Sequence, residues 1–150
     1  MSLLKTLQCS IHIAAPVEEV FRRFHDPEGY RYWTAAFCEG SCLEGTWAQG
    51  ARIRFMSPSG DGMVAEIAEF RPHAFISLRH LGWVVQGVED TESPEVRAWA
   101  PAFENYTFSA TPEGTHLTVD QEVLPEYEDF MSKTLPAAFA RLKELCERGV

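Results

Sequence analysis

Apolar residues change their spacing in the first part of the chain. They alternate with polar residues over "LQCSIHI" (7–13), which predicts a half-buried β-strand. Over "APVEEVFRRFHDP" (15–27) they recur with the period of a helix, which Pro16 suits at the first turn and Asp26-Pro27 ends. A second short helix is predicted over "GYRYWTAAF" (29–37), with Trp33 as its anchor.

Strand-like segments separated by turn residues fill the middle of the chain, and a helical pattern ends it. The strand-like segments are "CEGSCLEG" (38–45), "ARIRFMS" (51–57), "MVAEIAEFRP" (63–72), "AFISLRHLG" (74–82), "FENYTFSA" (103–110) and "THLTVDQEV" (115–123). The helical pattern covers residues 126–149, and its apolar side consists of Leu135, Phe139, Leu142 and Cys146. Pro136 predicts a kink or a fresh start within this helix, and Gly149 predicts its C-terminal stop.

This order of elements predicts the fold class. One strand, two short helices, a run of strands and a long helix indicate a single domain, residues 1–150, of the α+β class. Because the closing helix is the only large amphipathic one, we expect a curved antiparallel sheet that wraps around it.

Composition and charge narrow the range of partners. The 13 Lys and Arg residues against 22 Asp and Glu residues give a formal charge of −9, which disfavours nucleic acids and anionic membrane surfaces. The N-terminus has no apolar run of signal-peptide length, so we expect a cytoplasmic protein. The cysteines and histidines show no zinc-ligand spacing, and we expect neither a metal nor another cofactor. The aromatic content is compatible with a homodimer, but no segment identifies an interface.

Four stretches of the chain together resemble one family. They are "IHIAAPVEEVFRRFHDPEGYRYW" (11–33), "GMVAEI" (62–67), "ENYTFSATPEGTHLTV" (104–119) and "LPAAFARLKELCE" (135–147). Their order resembles the helix-grip fold of the START and birch-pollen-allergen (SRPBCC) superfamily, and within it the activator-of-heat-shock-protein-90-ATPase-like family. The resemblance implies a cavity between the sheet and the closing helix, in which many relatives bind apolar small molecules. Other relatives are cyclases, hydroxylase subunits or lipid carriers, so the family's name does not define a function.

The late strands predict which side chains face such a cavity. If "TPEG" (111–114) is a hairpin loop, Tyr106 lies on the apolar face that the two flanking strands share. Placing Leu78 of the preceding strand opposite Tyr106 then brings His80 opposite Glu104, with both side chains inward. The opposite parity, which turns His80 outward, fits the pattern almost as well.

An inward His80–Glu104 pair has two interpretations. It is either a structural ion pair that anchors the base of the long segment, or a polar tether at the mouth of the cavity that presents a donor to a ligand. A cyclase-like or hydrolase-like enzyme with this acid–base pair is an alternative, although the sequence identifies no nucleophile or oxyanion donor. A module that regulates a chaperone or another protein is a further alternative.

The leading prediction is therefore binding of a small, largely apolar molecule, and nothing in the sequence requires chemistry. The candidate ligand-binding residues are Phe55, His80, Trp83, Trp99, Glu104, Tyr106, Phe130, Met131, Leu135 and Phe139. Glu66 is a further polar candidate, but we expect it to be solvated, because a glutamate is seldom buried without a partner.

The acidic segment "WVVQGVEDTESPEVRAWAP" (83–101) is too long for an ordinary connection between strands. Within it, Thr91 or Ser93 can cap a short helix, and Pro94 suits the first turn. Trp99 is spaced to dock this helix onto one end of the sheet. The resemblance to other members of the family implies a lid beside the cavity mouth, and a fixed cover would have the same sequence pattern.

Overall fold

The computed structural model describes residues 4–148, so the predicted helix stop at Gly149 lies outside the described residues. The strands are β1 (Lys5–Ile13), β2 (Cys42–Glu44), β3 (Arg52–Met56), β4 (Gly62–Arg71), β5 (Phe75–Val85), β6 (Val88–Asp90), β7 (Ala102–Thr111) and β8 (Gly114–Val123). The helices are α1 (Val17–His25), α2 (Pro27–Thr34), α3 (Pro94–Arg97) and α4 (Pro125–Glu147). The α+β class, the two short helices after the first strand and the long closing helix are confirmed.

The strands form one antiparallel sheet in the order β1-β8-β7-β5-β4-β3-β2, and β6 pairs with β5 beside this path. The sheet is curved, and α4 packs against β1 and against the two short helices α1 and α2. This arrangement is the helix-grip fold that the order of elements predicts.

The register of the late strands agrees with the prediction in one place and differs in another. Tyr106 pairs with Val119, as predicted. Strand β5 is displaced by two residues from its predicted register, because His80 pairs with Ala102 and not with Glu104. The connection between β5 and β7 is long and imposes no turn geometry, and a shift of two residues keeps the same face inward. The predicted pair therefore stays on one face, as diagonal neighbours.

A β-bulge in β5 changes which residues face inward. The pairing of β5 with β4 skips Leu81, which lies between the paired residues His80 and Gly82. One extra residue reverses the parity of a strand and re-aims the side chains that follow. Trp83 consequently lines the same cavity as His80, although the two residues are three positions apart.

The segment 83–101 is not a simple connection, because its first part continues the sheet. Strand β5 extends to Val85 and returns as β6 through a turn at Gln86 and Gly87, whose φ angles are 49° and 80°. Positive φ at both central positions is what a type I′ hairpin turn requires. The sequence-based prediction of six strands after the helices is wrong by this one short strand.

The second part of the segment forms the predicted short helix, α3. The Ser93 hydroxyl oxygen accepts a hydrogen bond from the Val96 N–H at 3.3 Å, which caps the first turn. Trp99 is only 6 % exposed, and its ring centroid lies 4.7 Å from that of Trp83. The helix is therefore docked onto the sheet through this tryptophan pair.

Helix α4 passes through Pro136 without interruption, so the predicted fresh start there is wrong. The predicted apolar side of the helix is buried: Leu135, Phe139, Leu142 and Cys146 are all exposed by 3 % or less. A proline inside a helix costs about 3 kcal/mol. Burying each large apolar side chain contributes roughly 1.5–3 kcal/mol, so this face outweighs the missing hydrogen bond.

Helices α1 and α2 pack as a unit against the sheet. The Phe24 and Trp33 rings stack with centroids 4.9 Å apart, and the indole N–H of Trp33 donates to the Phe24 carbonyl oxygen at 2.9 Å. Between the helices, the Asp26 carboxylate accepts from the Gly29 N–H at 2.6 Å and pairs with Arg23 at 2.7 Å. These contacts hold the aromatic side chains of both helices over the sheet.

Candidate functional site

A cavity of about 400 Å³, here called the first cavity, lies between the inner face of the sheet and helix α2. Its wall is mainly aromatic and includes Phe24, Tyr30, Trp33, Trp47, Phe55 and Tyr106. Helix α4 contributes only Met131 to it. Cavities of about 300–1,000 Å³ with apolar walls are typical of small-molecule sites.

Three hydrogen-bonded polar side chains lie in one wall of the first cavity. The His80 Nε2 atom is 2.8 Å from Glu104 Oε1, and the Tyr106 hydroxyl donates to Glu104 Oε2. The side chains of His80 and Glu104 are only 7 % and 15 % exposed. Because a carboxylate offers only acceptor atoms, Nε2 of the imidazole carries the proton in this contact. We call these three residues the polar cluster.

The buried tyrosines of the first cavity are protonated and act as donors. Burial raises the pKa of Tyr106 well above its usual range, and the charge of Glu104 raises it further. Burial, followed by the same charge, also raises the pKa of Tyr30. Both phenols are therefore protonated at neutral pH, so Tyr106 acts as a donor toward Glu104.

Two buried atoms, one in the polar cluster and one next to it, have no hydrogen-bond partner within residues 4–148. They are His80 Nδ1 and Gln121 Oε1, and Gln121 pairs with Glu104 across β7 and β8. Leaving a buried polar atom unpaired costs about 1–3 kcal/mol. A group that donated hydrogen bonds to these atoms would recover that cost.

A second cavity, of about 280 Å³, lies beside the first. Its apolar wall includes Leu4, Trp83, Trp99, Leu124, Tyr127 and Phe130. The buried indole N–H of Trp99 also has no acceptor among the described residues. Five residues line both cavities, and we call them the shared wall: Met63, His80, Glu104, Gln121 and Met131.

The structure brings most of the predicted ligand-binding residues together. Phe55 and Tyr106 line the first cavity, and the second is lined by Trp83, Trp99 and Phe130. His80, Glu104 and Met131 line both.

The sequence also predicts Leu135 and Phe139 as cavity lining, but they lie in the core and line neither cavity. They are 1 % and 0 % exposed, and the Phe139 ring centroid is 6.3 Å from that of Tyr106. The reason is that the middle of α4 packs tightly against the core, whereas only its first turns, up to Met131, reach the cavities.

Sequence reasoning missed Gln121, Met63 and the aromatic residues that α1 and α2 contribute. Gln121 carried a signal, because it occupies an apolar position in the alternation of β8. Met63 carried none, since a methionine next to a turn is compatible with either face.

The expectation for Glu66 is confirmed: its side chain is 43 % exposed and lies 3.8 Å from Arg79 on the outer face.

The serine and threonine hydroxyl groups of the first cavity are engaged with the backbone. Those of Thr34, Ser41 and Ser57 each donate to a carbonyl oxygen of their own local turn. None of these hydroxyls bonds to His80, so the described residues show no nucleophile beside the imidazole. Within residues 4–148 no group of three or more His, Cys, Asp or Glu side chains could hold a metal ion.

No helix within the described part of the chain has both the length and the apolar character needed to cross a membrane.

The curved sheet and the closing helix define a helix-grip protein of the SRPBCC type, although the first cavity lies between the sheet and α2 and not, as predicted, against the closing helix. Residues 14–147 match the family described as "Activator of Hsp90 ATPase homolog 1-like protein", and the chain belongs to this family. No curated protein matches the chain.

Solved structures support the fold. MLL2253 from Mesorhizobium loti is similar with a TM-score of 0.74 and 20 % identity, over 96 % of this chain and 98 % of that one. The Aha1 dimer from Colwellia psychrerythraea is similar with a TM-score of 0.71 and 18 % identity, over 95 % of this chain and 96 % of that one. DynU16, from the dynemicin biosynthetic locus, is similar with a TM-score of 0.72 and 20 % identity, over 96 % of this chain and 48 % of that one. At these identities the likeness concerns the fold alone.

Proposed function

We propose that this protein binds a small, largely apolar molecule in the first cavity and tethers its polar group to the polar cluster. The observation that carries the proposal is an aromatic cavity with unpartnered polar atoms, His80 Nδ1 and Gln121 Oε1, buried in its wall. Each buried CH₂ group of a ligand contributes about 0.8 kcal/mol. The polar atoms add a directional contact that fixes the orientation of the ligand.

The test is a thermal shift with 1-nonanol, a flexible apolar chain that carries one hydroxyl group. At ten times the dissociation constant a ligand stabilises the folded state by about 1.4 kcal/mol. For a chain of this size that corresponds to a rise in Tm of roughly 3–6 °C. No rise up to the solubility limit of the alcohol would contradict the proposal.

A matched pair of variants shows whether the alcohol occupies the cavity. Met131→Trp places a large ring in the shared wall, so we expect the rise in Tm to be lost. Lys133→Trp introduces the same ring two residues later on α4, where the side chain is 76 % exposed, so the rise should be retained. Equal responses of the two variants would place the alcohol elsewhere.

The tether is tested separately by His80→Ala and Glu104→Ala. The first variant removes an unpartnered acceptor of the cavity wall, and the second removes the group that orients it. Because one hydrogen bond contributes about 0.5–1.5 kcal/mol, we expect 1-nonanol to bind several-fold to about tenfold more weakly. Unchanged affinity in both variants would remove the tether from the proposal and leave the apolar cavity.

We also propose that the chain forms a homodimer. The support is the dimeric state of the similar Colwellia psychrerythraea structure and the exposure of Val85 and Val88, which are 55 % and 68 % exposed at the β5–β6 turn. Light scattering after size-exclusion chromatography should give twice the chain mass of 16.9 kDa. A monomer mass at high concentration would contradict this.

A further inference from the structure

The polar cluster lies between two apolar cavities, not at the end of one. His80, Glu104 and Gln121 belong to the wall that both cavities share. Beyond them, the first cavity continues toward Trp33 and Trp47, and the second continues toward the Trp83–Trp99 pair. His80 and Gln121, whose buried Nδ1 and Oε1 atoms lack partners, therefore line both sides, so a ligand that extends into either cavity contacts their side chains.

We propose that the two cavities form one binding channel. Its middle, where His80, Glu104 and Gln121 of the shared wall lie, is here called the polar waist. Such a channel takes an elongated ligand whose hydrogen-bond donor, a hydroxyl or N–H group, lies in the middle of an otherwise apolar skeleton. This inference rests on the proposed function and adds the class of ligand to it.

The chemistry of the waist defines the group in the middle of the ligand. Since Nε2 of His80 carries the proton toward Glu104, Nδ1 of the neutral imidazole is an acceptor. The Gln121 Oε1 atom is also an acceptor. Both atoms therefore require donors from the ligand. A carboxylate at this position would supply only acceptors, next to the carboxylate of Glu104.

The volumes on each side suit two short apolar arms. At about 30 Å³ for a water-sized group, the first cavity holds roughly thirteen such groups and the second roughly nine. An arm of four carbons fits either side. The two non-polar members of the shared wall, Met63 and Met131, are unbranched and flexible, which lets the waist adapt to the ligand.

An observation in the second cavity supports its inclusion. The Trp99 indole N–H is buried there without an acceptor in the described residues, although Trp99 is only 6 % exposed. A buried indole N–H usually finds a partner. The second cavity therefore also has an unmet hydrogen bond, in addition to its apolar wall.

The four tryptophans of the chain make the test direct, because two line each side. We would label the protein with 5-fluorotryptophan and record ¹⁹F NMR spectra during a titration with 5-nonanol, whose hydroxyl group lies between two four-carbon arms. We expect the resonances of Trp33, Trp47, Trp83 and Trp99 to shift together with a single dissociation constant. Shifts confined to one pair, or two pairs with different constants, would overturn the channel.

The isomer 1-nonanol distinguishes the failure of the channel from the failure of the proposed function. If 1-nonanol raises the Tm while 5-nonanol shifts only one pair of tryptophans, the cavity binds ligands but the channel is wrong. If neither alcohol shifts any resonance, both proposals are wrong.

A variant that fills only the second cavity provides an independent arm. Ala102 is 4 % exposed and lines the second cavity but not the first. We expect Ala102→Phe to weaken 5-nonanol binding by tenfold or more and to leave 1-nonanol binding within twofold of the wild type. If Ala102→Phe does not fold, Ala102→Leu, which adds a smaller side chain, is tested in its place. Equal effects on the two isomers would overturn the channel.

Discussion

Replacing Glu104 by leucine removes the acceptor of two buried donors at once, the His80 imidazole and the Tyr106 hydroxyl. Each orphaned donor costs about 1–3 kcal/mol, or roughly 2–6 kcal/mol together. We therefore expect Glu104→Leu to lower the free energy of unfolding by about 4 kcal/mol.

Removing the donors together with the acceptor should have a much smaller effect. The triple variant His80→Leu/Glu104→Leu/Tyr106→Phe replaces the polar cluster by apolar groups of similar size. Replacing all partners of buried hydrogen bonds by apolar groups of the same shape can be nearly neutral or stabilising. We expect the free energy of unfolding of the triple variant to be no more than about 1 kcal/mol below that of the wild type. The triple variant should also lose the hydrogen bond that tethers alcohols.

The assay is urea denaturation at pH 7, followed by circular dichroism. With an m-value of about 2 kcal/mol/M, the single variant should lower the midpoint by roughly 2 M, and the triple variant should remain close to the wild type. Glu104→Gln is the matched control, since its amide still offers one acceptor atom, and we expect a loss of about 1 kcal/mol. A triple variant as unstable as Glu104→Leu would show that the cluster stabilises the fold, and would refute the assignment of His80 Nδ1 to a ligand.

Three further predictions concern the elements around the site. Trp99→Ala removes a buried tryptophan and should cost about 3–5 kcal/mol. Amide exchange should accelerate first in α3, whereas unchanged exchange there would show that the tryptophan does not anchor the segment. Asp26→Ala should cost about 1–2 kcal/mol through the lost cap at Gly29, as measured by thermal unfolding, and an unchanged Tm would contradict this role. The N–H of Ala14, and then Lys143, lower the pKa of Glu147 from its usual 4.5. This contribution is present above pH 4.5 and is lost as the pH falls through the lower folded-state value. Glu147→Gln should therefore reduce stability by up to about 1 kcal/mol at pH 7 but not at pH 3, and a constant difference would contradict the sign.

Much of the fold is predictable because periodicity records burial. The alternation in β7 and β8 places Tyr106 and Glu104 on one face, and the helical period of α4 identifies its buried side. The inward His80–Glu104 contact also follows from parity, because an error of two residues in register leaves the facing side unchanged.

Other features depend on local geometry that the pattern of residues does not specify. Strand β6 begins after a turn at Gln86-Gly87, and glutamine is not a usual residue for a positive φ. The bulge at Leu81 brings Trp83 to the same cavity as His80, whereas strict alternation would turn it away. Likewise, the apolar period of α4 cannot separate Phe139, which packs in the core, from residues that line a cavity.

The central claim is that an apolar molecule enters the first cavity, and its methionines report on this most directly. Met56, Met63 and Met131 all line that cavity. In ¹³C-methyl NMR spectra of the wild type, we expect 1-nonanol to shift the methyl resonances of all three with one dissociation constant. In Met131→Trp, the resonances of Met56 and Met63 should no longer respond, whereas Lys133→Trp should behave as the wild type. Methyl resonances that stay unchanged up to the solubility limit of the alcohol would contradict the account.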